Sequence, residues 1–201
     1  RQAQLTAGRT AFTTAVADFP KYYDNDTPIL AKAPLLSPEK DTNFVSKLVK
    51  VILTEQKTFT VGVVGSSMSA GHDNWHNESF GRVLERRLAP VFATIGVNFT
   101  VVMAAVGGRN PNPWNLCMRQ MVGTKVDVVI YESNFWTFDA GFTPEQHIER
   151  QGASRAQAGA ELALRSVLQL PHQPAFHYLK MVPSTREGVL SWLNDWVFAP
   201  A

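Results

Sequence analysis

Three short clusters in the sequence carry residue types that chemistry uses. The first is Gly65-Ser66-Ser67-Met68-Ser69-Ala70-Gly71, the second Gly107-Gly108-Arg109, the third Glu132-Ser133-Asn134. Acyl transfer needs a nucleophile together with hydrogen-bond donors aimed at a developing oxyanion. A serine loop, a Gly-Gly backbone that a substrate oxygen can approach unhindered, and an asparagine amide supply those parts. Other loop chemistries fit less well. A phosphate-cradling loop needs Gly-x-x-x-x-Gly-Lys-Ser/Thr, but here the second glycine comes one place late and His72 follows it. Gly-x-Gly-x-x-Gly is absent, and Gly65-Ser66-Ser67-Met68-Ser69 lacks the closing glycine of a nucleophile elbow. A polar loop without chemistry is the plain alternative.

The bases that could serve such a serine are dispersed. Asp73-Asn74-Trp75-His76 is the one literal Asp-x-x-His, directly after the serine loop. His76 is therefore a candidate base for Ser67, although a loop or capping role suits it and His72 better. His147, His172 and His177 fall at a helix start, a helix end and in a strand, where histidine is usually structural. No set of His, Cys, Asp and Glu has metal-ligand spacing, so neither a metal nor another cofactor is expected. Trp114, Phe135 and Trp136 flank these clusters, as pocket lining or as simple packing.

The elements that must position the clusters can be read from periodicity. Residues 59–64 are a run of β-branched and apolar residues, a buried strand that empties into the serine loop. A helix capped by Asn74 or Asn77 follows to about residue 92, with Phe80, Val83, Leu84, Leu88, Val91 and Phe92 as its apolar stripe. Strands are expected at 97–106, 126–131 and 174–182, with helices at 114–122, 143–170 and 189–198. Ahead of the first strand come a weak helix over 2–19, a proline-bearing arm from Pro20 to Pro38, and a short helix carrying Phe44, Leu48, Val51 and Ile52. Strands alternating with helices predict a parallel sheet covered on both faces, an α/β fold of three layers. The loops after successive strands gather along one edge of such a sheet, which is where open α/β sheets bind ligands.

Composition sets outer bounds. The 201 residues are 45% hydrophobic and 18% charged, as in a soluble globular domain, with a formal charge of +2. That charge is too small to argue for nucleic acid or an anionic membrane surface, and no apolar run reaches the roughly 18–20 residues of a membrane span. The single cysteine, Cys117, excludes an internal disulfide and leaves the compartment open. Three Asn-x-Ser/Thr sequons, at Asn25, Asn77 and Asn98, and a start at Arg1 are compatible with a secreted or organelle-lumen protein.

The serine loop resembles the first block of SGNH (GDSL-type) hydrolases, a strand followed by Gly-Asp-Ser-x-x-x-Gly or its Gly-Ser-Ser variant. The resemblance extends over roughly residues 58–182 through Gly71-His72-Asp73-Asn74, Gly107-Gly108-Arg109-Asn110-Pro111, and Cys117 ahead of Val126 to Glu132. The run is similar to SGNH-type domains of microalgal and plant proteins. It implies a flavodoxin-like α/β/α sandwich over residues 57–201, preceded by an N-terminal arm with short helices over 1–56. It also implies Ser67 as nucleophile, with Gly107 or Gly108 and Asn134 completing the oxyanion hole. Two features depart from the family pattern. Glu132 stands where the third block usually has glycine, and the C-terminal Asp-x-x-His block is not in the sequence, so the last strand and helix are expected to be missing. The expected function is a serine esterase acting on acyl esters, such as acetylated carbohydrates, through a Ser67 acyl-enzyme. The alternative is a catalytically silent SGNH-fold domain that binds protein partners as a structural subunit of a larger assembly.

Overall fold

The computed structural model describes residues 2–18, 42–54, 56–72, 75–107, 114–132 and 152–179. The proline-bearing arm, the start of the helix expected at 143, the loop at 183–188 and the helix expected at 189–198 lie outside the described residues. Four strands, β1 (Thr58–Val64), β2 (Asn98–Met103), β3 (Val128–Tyr131) and β4 (Ala175–Tyr178), form one sheet in the order β2-β1-β3-β4. All three pairings are parallel, in register Val61↔Val101, Val64↔Tyr131 and Tyr131↔Tyr178. This is the α/β fold predicted from the alternation of elements.

Because β1 sits between two neighbours and under helices on both sides, it reads as the near-continuous apolar run of a central parallel strand. Phe59, Val61 and Val63 point to one face. There they meet Val51 and Leu48 of α2 (Thr42–Leu53) and Leu84, Leu88 and Phe92 of α4 (Phe80–Ala93). Phe59, Phe92 and Phe99 form a ring cluster with centroids 4.8–6.0 Å apart, within the range in which aromatic pairs attract. Val64, Val129 and Tyr131 point to the other face, against Met118 and Val122 of α5 (Met118–Val122) and Ala163 and Val167 of α6 (Gly152–Leu168). Helices on both faces of the sheet make three layers. Gly62 permits one of these close approaches, since a Cβ there would lie 2.7 Å from Val122 Cγ1.

The N-terminal helix α1 (Gln2–Asp18) packs on α4 through Gly8, whose missing side chain leaves room for Ile95. The segment after the serine loop differs from expectation. Asn77 lies inside a 3₁₀ turn (His76–Glu78), and α4 begins only at Phe80, with Ser79 as its N-cap. Ser79 Oγ donates to the His76 carbonyl at 2.9 Å, so its side chain closes the 3₁₀ turn and makes no capping bond to the helix. Residues 114–117 likewise form a 3₁₀ turn before α5. Strand β3 starts at Val128, and Asp127 just ahead of it is bound at the sheet's amino edge. Its backbone N–H donates to the Thr60 carbonyl at 2.8 Å, and its carboxylate takes the N–H of Thr60 at 2.8 Å and the Gln56 amide at 2.9 Å. Among the described residues no helix is long and apolar enough to cross a membrane.

Candidate functional site

The chain runs from β1 to β2 on one side of β1 and returns to β3 on the other. The loops after β1 and β3 therefore diverge at a switch point, the crevice where parallel sheets hold ligands. Backbone hydrogen bonds stitch the three loops together there. Glu132 N donates to the Val64 carbonyl at 2.8 Å, and Val106 N to the Gly65 carbonyl at 3.1 Å.

Within the serine loop, Ser67–Ala70 forms one helical turn, α3. Ser66 caps it in extended conformation, its Oγ accepting the Met68 N–H at 3.3 Å. Gly71 ends it at φ 90°, a left-handed conformation natural to glycine. The N–H of His72 then returns to the Ser67 carbonyl at 2.8 Å. The turn is anchored underneath by a carboxylate. Glu132 Oε2 accepts from Ser66 N at 3.1 Å, Ser66 Oγ at 2.7 Å and Ser69 Oγ at 3.0 Å. Ser66, Ser69 and Glu132 are all buried, Glu132 completely. Its second oxygen, Oε1, is buried without a hydrogen-bond partner among the described residues.

Ser67 itself points elsewhere. It is partly exposed, and among the described residues its hydroxyl has no hydrogen-bond partner. A Cβ built on Gly107 would stand 3.3 Å from Ser67 Cβ, so the loop after β2 approaches the serine with bare backbone. Two of the residues singled out in the sequence, Ser67 and Gly107, are thus adjacent. Gly108 and Asn134 lie outside the described residues. His76 is exposed on its 3₁₀ turn, and among the described residues no hydrogen bond joins its imidazole to Ser67. His172 lies at the amino edge, its Nδ1 3.9 Å from Asp127 Oδ1, and His177 sits on β4 with its ring edge-on to Phe44. His147, Phe135 and Trp136 lie outside the described residues. Among the described residues no three His, Cys, Asp or Glu side chains converge as metal ligands.

The site also contains groups that the sequence reading passed over. Glu132 counts there as part of the third cluster and as a departure from a glycine, without a role of its own, yet it is the hub of the serine loop. The available signal was a carboxylate at the end of an apolar strand, which burial would force to find donors. Asn115 was not singled out either. Buried in the 3₁₀ turn, it accepts from Tyr131 OH at 3.1 Å and donates to the Gly159 carbonyl at 3.0 Å, tying the end of the second loop to β3 and α6. Exposed apolar side chains frame the same edge, with Met68 beside Ser67 and Val106 beside Gly107. Trp75 and Trp114 stand on the segments that follow the first and second loops, and Trp75 is 79% exposed.

No protein-family model matches the chain, and no curated protein matches it. Among solved structures it is similar to a two-domain esterase (CEX) active on acetylated mannans, with a TM-score of 0.49 and 14% sequence identity. The match covers 68% of this chain and 33% of that esterase, so the chain spans about a third of its length.

Proposed function

We propose that the chain is an SGNH-type serine ester hydrolase domain in which Ser67 forms an acyl-enzyme. The observation that carries this reading is the meeting of Ser67 with Gly107, a partly exposed serine whose Cβ lies against a backbone stripped of side chain. In the proposed reaction Ser67 Oγ attacks the acyl carbon and its proton passes to a general base. The carbonyl oxygen becomes an oxyanion held by backbone N–H of the Gly107-Gly108 loop and the Asn134 amide. Collapse breaks the ester C–O bond, and the alcohol leaves with a proton. Water then attacks the acyl-enzyme by the same route and frees the acid. Acetylated carbohydrates are the acyl esters to try first, because Trp75 and Trp114 offer flat apolar faces on which the C–H faces of a sugar ring can lie.

A second reading, a catalytically silent domain serving as a binding or structural subunit, is supported by a different observation. Among the described residues no imidazole or carboxylate bonds the Ser67 hydroxyl. A serine without a base is a poor nucleophile at neutral pH. Deleting triad members in serine proteases leaves only about 10³–10⁴-fold acceleration over water, so weak turnover by the 201-residue chain is expected. The test is hydrolysis of small acyl esters by the chain, by Ser67→Ala, and by a longer chain carrying a downstream Asp-x-x-His. Turnover abolished by Ser67→Ala supports the hydrolase, with a gain of orders of magnitude expected from the added histidine. Turnover that ignores Ser67, or none from the histidine-bearing chain, leaves the silent domain.

A further inference from the structure

The proposed Ser67 chemistry leaves one buried group unused, the Glu132 carboxylate. We propose that Glu132 is a positioning residue for the nucleophile: a single carboxylate oxygen fastens the residues on both sides of Ser67 and so sets where its hydroxyl stands relative to Gly107. The kinetic part of this inference rests on the ester-hydrolase reading of Ser67; the structural part does not.

Ser66 and Ser69 are three residues apart, so a helical turn places them on one side, and Ser67 is rotated away from both. Both hydroxyls and the Ser66 N–H end on Glu132 Oε2, at 2.7, 3.0 and 3.1 Å. With all three side chains buried, water cannot readily replace these bonds. Glu132 is itself fixed by its own N–H on the Val64 carbonyl at the end of β1. The clamp therefore refers the serine loop to the sheet rather than to another loop. Packing alone does not explain a carboxylate here. An apolar residue of similar size would fill the end of β3 without the desolvation penalty of a buried acid. Oε1 has no partner among the described residues, so the serine donors are the identified interactions that the carboxylate serves.

Without the acceptor, three buried donors lose their partner and the turn carrying Ser67 is free to shift. A misplacement of about 1 Å at a reacting group can cost on the order of 10²-fold in rate. The experiment compares wild type, Glu132→Ala, Glu132→Gln and the double variant S66A/S69A. Ser67 labelling by a fluorophosphonate is followed by mass spectrometry, p-nitrophenyl acetate turnover gives kcat and KM, and amide hydrogen exchange is read by segment. For Glu132→Ala the expectation is a fall of about 10²-fold in labelling rate and kcat, with KM within about twofold. Exchange protection should be lost over residues 66–72 and kept in β1 and β3. Glu132→Gln retains an acceptor oxygen and should recover about tenfold of the loss. Wild-type kcat in Glu132→Ala overturns the proposal. So does a loss that glutamine does not rescue, accompanied by loosening of the whole sheet, because that is a purely structural role. Should Glu132→Ala fail to fold, S66A/S69A decides, since it removes two donors and keeps the carboxylate. A fall in kcat there supports the clamp, and an unchanged kcat removes it. If wild-type Ser67 is inert to both reagents, the hydrolase reading is decided by the histidine-bearing chain. Exchange alone then judges Glu132: selective loss at 66–72 supports the clamp, and unchanged exchange overturns it.

Discussion

Gly65→Ala adds one methyl group at the joint where β1 becomes the serine loop. Gly65 is not among the glycines with positive φ, so the demand for glycine here is spatial rather than conformational. A Cβ would lie 2.5 Å from Ser69 Oγ, 2.8 Å from Ser69 Cβ and 2.8 Å from the Glu132 carbonyl oxygen. Each contact must open by roughly half an ångström or more to reach ordinary van der Waals separation. Neither neighbour yields cheaply. Ser69 Oγ is committed to Glu132 Oε2, and the Glu132 carbonyl is backbone at the end of β3. Overpacking of this kind costs about 1–3 kcal/mol. At about 2–4 °C per kcal/mol for a chain of this size, Tm should fall by about 2–12 °C. The displacement also pushes Ser69 off its acceptor, so labelling of Ser67 should slow as well. Gly96→Ala is the control: φ is 76° and no atom lies within 4 Å of its Cβ position, so its cost is backbone strain far from the loop. That cost is about 1–2 kcal/mol, and labelling of Ser67 should stay at the wild-type rate. Thermal unfolding together with fluorophosphonate labelling reads both variants. A Gly65→Ala chain melting within about 1 °C of wild type would refute the close-approach argument.

Asp127→Asn keeps the shape of the amino-edge carboxylate but turns one of its two acceptor atoms into a donor facing the Thr60 N–H or the Gln56 amide. We expect about 1–3 kcal/mol of lost stability by urea unfolding, with Ser67 reactivity unchanged because the two edges are separate. Lys47 offers a pH test. Desolvation by burial, then the charge of Lys50, lowers its pKa below the ordinary 10.5. The unfolded chain therefore binds this proton more tightly, and stability should rise with pH as it climbs through the folded-state value toward 10.5. In Lys47→Met the urea midpoint should lose that part of its rise between neutral and alkaline pH. An identical pH slope in both chains would mean that the partly exposed ammonium feels no net penalty.

What could be read from the sequence, and what could not, divides along a physical line. Parallel strands buried on both faces concentrate valine, so Val61, Val63, Val64, Val128 and Val129 announced the sheet, and Gly65 and Gly107 marked loops that pass close to something. Start signals are weaker, because Asn74, Asn77 and Ser79 are all capable caps within six positions. Only the packing of Phe80 and Leu84 on the sheet determines which turn becomes helix. Glu132 was hidden for a different reason. Its role exists only once the register Val64↔Tyr131 puts the residue after β3 beside the residue after β1, and sixty-odd residues of intervening chain carry no trace of that register. The three serines pose the same problem in miniature. As letters Ser66, Ser67 and Ser69 are interchangeable; one turn of helix assigns two of them to a buried carboxylate and leaves Ser67 facing Gly107. The consequence is that moving the helical phase by one residue would turn Ser67 toward the carboxylate and take it from its place beside Gly107. The loop's spacing between Gly65 and Gly71 is therefore as much a part of the site as the serine itself, and inserting a single alanine after Ser66 should abolish Ser67 labelling while β1 and β3 keep their exchange protection.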